Sequence, residues 1–224
     1  MSARRAAQST MKISSQQLRL SATDVSNHLA CHHLTKLGLS VARGNLVAPE
    51  LRAPDLVMIQ QLGLRFESQY LEFLRKGGLE VVHLGELKDE MHVAAETQKA
   101  MQMGFPVIAQ GALSCGHWFG RPDVLRRVDK PSARFGNWSY EAYDCKLARE
   151  TKAAAILQLS FYSELLGEMH GGTVESMPEN MWIVHPGVTM FSIMSSSSQR
   201  TPLVWAAGWR RFTPRTRASR HGRI

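Results

Sequence analysis

The sequence predicts a mixed α/β fold, α+β in its chain order, with a central mixed sheet flanked by helices. Three observations predict it. Capped segments with apolar residues at helical spacing alternate with short strand-like apolar runs. Three of those runs follow one another between residues 106 and 147 with no helical segment among them. A strong helical segment comes next and one more strand run lies beyond it, the pattern of helices layered on a sheet. At 224 residues, 44% of them hydrophobic, the chain has material for one domain with a sizeable core.

Taken in order, Ser21, Thr23 and Asp24 are good N-caps for a helix carrying Val25, Leu29, Leu34 and Leu37, which Gly38 or Gly44 ends. Residues 53–78 predict a long helix with Pro54 near its start and Gly77–Gly78 at its close. A short strand covers 79–85, and a helix from Met91 runs to Gly104. Residues 106–128 predict two antiparallel strands around a Ser114-Cys115-Gly116 turn, and 137–147 a third strand. Residues 149–172 predict a helix closed by Gly171–Gly172, and 181–187 a final strand. The basic stretch 1–11 predicts a flexible extension, and 191–224, rich in Ser and Arg, a disordered or aberrant tail: a truncated or frame-shifted end of a longer protein.

The net charge of +8 does not by itself signal nucleic acid. Seven arginines and no acid lie between Gln199 and Ile224; without them the balance is 20 basic to 19 acidic residues. Without Arg4, Arg5 and Lys12 as well, residues 13–198 carry −2, so any phosphate-binding surface has to be local. No apolar run approaches the ~20 residues of a membrane span. The basic start lacks the apolar stretch of a secretory signal. Cys31, Cys115 and Cys145 are too few and too scattered for a disulfide framework, which points to a cytoplasmic protein with reduced thiols.

The chemistry concentrates between Gly120 and Arg149. In a strand, side chains alternate, so Asp144 and Lys146 share a face and Cys145 takes the other. Asp123 opens the preceding strand, where a neighbouring strand brings it beside Asp144. Converging carboxylates suit a hard divalent cation, with the Cys145 carbonyl a further oxygen donor, and an adjacent ammonium can hold an attacking water. A D-x-K triplet alone also fits a surface ion pair. Gln158 and Tyr162, at i and i+4 on an otherwise apolar helix, look into a site or are a buried tyrosine with a satisfied amide. His28 and His32 share that spacing, but no acid or cysteine completes a set beside them, which favours a polar helix face over a metal site.

The motifs G-R-P-D-V-L, Y-E-x-x-D-x-K-L-A-R and Q-L-x-x-Y-S, in this order, resemble the RecB-like nucleases of the P-D…(D/E)-x-K superfamily. More narrowly, they are similar to the RecB-family nucleases often attached to a superfamily 1 helicase, whose opening segment "SATDVSNHLACHHLTKL" also resembles. The likeness covers roughly residues 12–188 and implies a restriction-endonuclease-like αβββαβ core. It implies Asp123 and Asp144 as ligands of Mg²⁺ or Mn²⁺, Lys146 as the catalytic lysine, and Gln158 and Tyr162 as its support and as contacts to the substrate backbone. Arg121 and Arg149 flank the acids and either meet phosphates or are solvated. Where the family has glycine and, three residues on, histidine, this chain reads Gly63-Leu64-Arg65-Phe66-Glu67. Phenylalanine cannot ligate a metal. Either Glu67 supplies the third ligand, or this chain binds metal more weakly and Glu67 is an exposed acid. Iron–sulfur relatives carry a cysteine trio near the C-terminus; no cysteine follows Cys145, so no cluster is expected.

The resemblance thus implies a metal-dependent deoxyribonuclease of DNA repair, recombination or processing, working on single- or double-stranded DNA, with a superfamily 1 helicase as a partner. The rival expectation is a nuclease-derived DNA-binding or helicase-partner module that no longer cuts. An RNA-directed enzyme is a third, since such motifs read phosphates rather than sugars.

Overall fold

The computed structural model describes residues 11–14, 17–48, 54–147, 152–171, 180–185 and 188–194. It is a mixed α/β structure. A short hairpin of β1 (Lys12–Ser14) and β2 (Gln17–Arg19) leads to helices α1 (Ala22–Ala30) and α2 (His32–Ala42). Then follow α3 (Pro54–Lys76), β3 (Val81–His83), α4 (Glu90–Gln102) and β4 (Val107–Ala109). A small hairpin of β5 (Leu113–Cys115) and β6 (Trp118–Gly120) separates β4 from β7 (Val124–Val128) and β8 (Ser139–Cys145). Helix α5 (Ala153–His170) and strands β9 (Asn180–His185) and β10 (Val188–Met194) complete the chain order.

Six strands form the main sheet in the order β10-β9-β8-β7-β4-β3. β3 runs parallel to β4, β4 and β7 are antiparallel, β7 and β8 are antiparallel, and β8 is parallel to β9. Side-chain alternation gives each face its own core. Ile108, Leu125, Tyr140, Ala142 and Ile183 face α4 and α5, packing with Met101, Leu159 and Leu166. Val107, Val124, Tyr143 and Val184 face the other way, against Tyr70, Leu71 and Leu74 of α3. The sheet is therefore sandwiched, and β8, buried through Asp144, lies inside it.

Local chemistry accounts for the helix ends. Asp24 Oδ2 accepts from the Ser21 amide at 2.8 Å and from its hydroxyl at 3.0 Å, and Asp89 Oδ1 caps α4 by accepting from the His92 amide at 2.7 Å. Gly104, at φ 73°, turns the chain out of α4 into β4, a backbone conformation that favours glycine.

Several expectations are corrected. The single N-terminal helix is two, broken at Cys31, whose backbone is extended; across the corner His28 Nδ1 and Thr35 Oγ1 are hydrogen-bonded at 2.8 Å and the His28 and His32 rings stack at 4.4 Å. The hairpin expected over 106–128 is two hairpins: its outer arms β4 and β7 enter the main sheet, while β5 and β6 pair separately against α5. Gln110, with φ 54°, makes the departure from β4. The β1–β2 hairpin and β10 were not anticipated. Met11, the last residue of the expected extension, is buried, and residues 1–10 lie outside the described residues. The tail expected from 191 gives up Phe191–Met194 to β10, a unit boundary falls between Met194 and Ser195, and the remainder lies outside the described residues. No helix among the described residues is long and apolar enough to cross a membrane.

Gly63 sits inside α3 with nothing within 4 Å of where a Cβ would stand. Gly63→Ala is expected to stabilise the fold by about 1 kcal/mol, because alanine loses less backbone entropy in a helix. A denaturant titration with an unchanged or lowered midpoint contradicts that.

Candidate active site

The β7–β8 register sets the site. Val124 pairs with Tyr143, so one step outward Asp123 stands opposite Asp144, at the end where β8 leaves the sheet. Asp123 Oδ2 accepts from the Cys145 amide at 2.7 Å, tying the two strand ends together. Asp144 is 1% exposed; its Oδ2 lies 2.6 Å from Lys146 Nζ, and among the described residues its Oδ1 has no hydrogen-bond partner. Lys146 is 30% exposed, so its ammonium bridges the buried acid and the outside.

A relay of hydrogen bonds fixes that ammonium from α5. Lys146 Nζ donates to Gln158 Oε1 at 3.3 Å, Gln158 Nε2 donates to the Tyr162 hydroxyl at 2.8 Å, and Tyr162 donates to the Arg121 carbonyl at 3.2 Å. Tyr162 reaches that carbonyl because Gly120 has no side chain: a Cβ there would lie 2.8 Å from the tyrosine ring. The Gln158–Tyr162 face of α5 therefore looks into the site.

Glu67, expected either as a ligand or as an exposed acid, is 9% exposed and accepts from Gln110 Nε2 at 2.6 Å. Phe66 packs against the α3 core. Arg121 is half-buried and its Nε donates to the Gln110 carbonyl at 3.3 Å. The Cys145 side chain is on the opposite face to Asp144, and burial, then the charges of Asp123, Glu67 and Asp144, raise its thiol pKa, so only its backbone carbonyl remains as a hard donor. Arg149 lies outside the described residues. Gln110 was missed in the sequence, where it reads as an ordinary strand residue; its unusual φ depends on partners far along the chain.

Electrostatics follow from burial. Burial and then the charge of Asp144 push the Asp123 carboxyl up to about 8, against the pull of the Cys145 amide. Burial likewise raises Glu67, with Asp144 adding to it and Gln110, His83 and Arg121 opposing. Among the described residues no three His, Cys, Asp or Glu side chains form a ready metal-holding group. The donors nonetheless suit a hard cation: an orphaned, buried carboxylate oxygen beside carboxylates that resist ionising without a counter-charge. Comparison of the chain with family models, with curated proteins and with solved structures yields no match in any of the three.

The raised Asp123 pKa has a stability consequence. The unfolded carboxyl titrates near 3.8 and the folded one near 8, so between them the folded state holds a proton that the unfolded state has lost. That contribution is full below pH 3.8 and is lost as pH rises through 8. The melting temperature of the metal-free protein is expected to fall between about pH 4 and 8 and to level off above, and Asp123→Asn to flatten the fall and add about a few kcal/mol at the alkaline end. A wild-type melting temperature that holds level or rises over that range contradicts it.

Proposed function

We propose that the chain is a metal-dependent phosphodiesterase acting on DNA, a RecB-like nuclease of the P-D…(D/E)-x-K superfamily working in cytoplasmic DNA repair, recombination or processing. The observation that carries the reading is Asp144: fully buried, one oxygen unpartnered, the other on a lysine that α5 holds in place. The order α4, β4, β7, β8, α5, β9 supports a restriction-endonuclease-like αβββαβ core.

In this reading Asp123, Asp144, the Cys145 carbonyl and Glu67 would hold Mg²⁺ or Mn²⁺, which would supply positive charge for the phosphate oxygens and Lewis acidity toward water. Lys146, fixed by Gln158, orients the attacking water and stabilises charge developing at phosphorus. Tyr162 keeps the Gln158 amide turned so that its carbonyl faces the lysine. Arg121 keeps guanidinium donors beyond its bond to Gln110 for substrate phosphates, as Arg149 does in the same proposal. A superfamily 1 helicase is the proposed partner. Phe66, partly buried against the core where the family has a ligand, favours a second reading: a DNA-binding module that no longer cuts.

Labelled single- and double-stranded DNA in Mn²⁺, with RNA as competitor, separates these. Lys146→Ala and Asp144→Ala are each expected to slow cleavage at least a hundredfold while near-ultraviolet circular dichroism stays that of the wild type. Wild-type digestion by either variant removes the mechanism, and binding without products by the wild type favours the module.

A further inference from the structure

Among the described residues Gln110 is the one non-glycine with a positive φ, 54°. Side chains with a Cβ seldom adopt that conformation. A glycine would make the same turn without strain. The turn is also tight, since a Cβ on the next residue, Gly111, would stand 3.1 Å from the Thr97 side chain and 3.3 Å from Ile108. Thr97 Oγ1 in turn accepts from the Ala112 amide at 2.8 Å, which anchors the far side of the turn to α4.

Every polar group of Gln110 that makes a hydrogen bond makes it to a residue of the candidate site. Its backbone amide donates to the Asp123 carbonyl at 2.9 Å, and its carbonyl accepts from Arg121 Nε at 3.3 Å. Its side-chain amide donates to Glu67 Oε1 at 2.6 Å, across 43 residues of sequence. Asp123 immediately precedes β7, Glu67 lies on α3, and Gln110 immediately follows β4, so this one residue ties the α3 carboxylate to the backbone of Asp123. It does so where Phe66 supplies no ligand.

We infer that Gln110 is a positioning residue: its left-handed backbone aims its amide at Glu67 and holds that carboxylate as the third oxygen donor of the site. The inference rests on the metal-dependent reading proposed above. Glu67 Oε1 accepts from the amide, and the carboxylate keeps further lone pairs for a cation. Removing the amide while relaxing the backbone frees the Glu67 side chain without disturbing the turn.

The test is calorimetric titration of the metal-free full chain with Mn²⁺ alone, for the wild type, Gln110→Gly, Glu67→Gln and the double variant, with the melting temperature of each. Gln110→Gly is expected to bind Mn²⁺ about tenfold more weakly, as the loss of a ligand's hydrogen-bonded support does, while melting no lower than the wild type. Glu67→Gln is expected to weaken binding by itself and to add little once Gln110 is glycine. Wild-type Mn²⁺ affinity in Gln110→Gly overturns the positioning role and leaves the metal reading standing, whether or not the melting temperature falls. Additive losses in the double variant also overturn it, since they separate Gln110 from Glu67. A wild-type chain that takes up no Mn²⁺ overturns the metal reading and this inference with it.

Discussion

A carboxylate that is 1% exposed, at the end of the innermost acidic strand, is the constraint around which the rest of this structure is arranged. Burying an ionised acid costs several kcal/mol unless a counter-charge and hydrogen bonds compensate it. Here the compensation is partial: among the described residues Lys146 meets one oxygen of Asp144 and none meets the other. Apolar residues of similar volume in place of the whole Asp144–Lys146 pair would serve stability as well or better. The acid is therefore a feature that the fold carries at a cost, the pattern expected where a side chain serves chemistry rather than packing.

The surrounding geometry follows from keeping Lys146 on that acid. The antiparallel β7–β8 ladder fixes Asp123 opposite Asp144, and the parallel β8–β9 ladder continues through the Lys146 amide, which donates to the Val184 carbonyl at 2.9 Å. With the lysine backbone so fixed, its side chain needs only one further contact, and α5 provides it through Gln158. The missing Cβ of Gly120 lets Tyr162 approach the chain and close the relay on Arg121. Strand β8 and helix α5 thus converge on one ammonium, while the core on the α3 face, with Glu67 at its border, contributes the third acid.

Much of this was legible in the sequence for a plain reason. Alternation along a strand is obligatory, so D-x-K had to place Asp144 and Lys146 on one face. The i, i+4 spacing likewise had to put Gln158 and Tyr162 together. The helices α3, α4 and α5 announced themselves by their glycine or proline boundaries and their length. The three-residue strands β1 and β2 are too short to show a period of two, and the break at Cys31 carries no glycine or proline to mark it. Gln110 was illegible because its conformation answers to Glu67 and Arg121, partners that only the folded chain brings to it. The functional reading stands on the motifs and this geometry.

The central claim is that the Asp123–Asp144 site exists to hold a hard cation against which Lys146 works. Anomalous scattering from a crystal grown with Mn²⁺ tests it most directly. The account predicts a peak between the Asp123 and Asp144 carboxylates, with an oxygen of Asp144 turned to it. A map with no peak there, Asp144 still paired to Lys146 alone in saturating Mn²⁺, contradicts it.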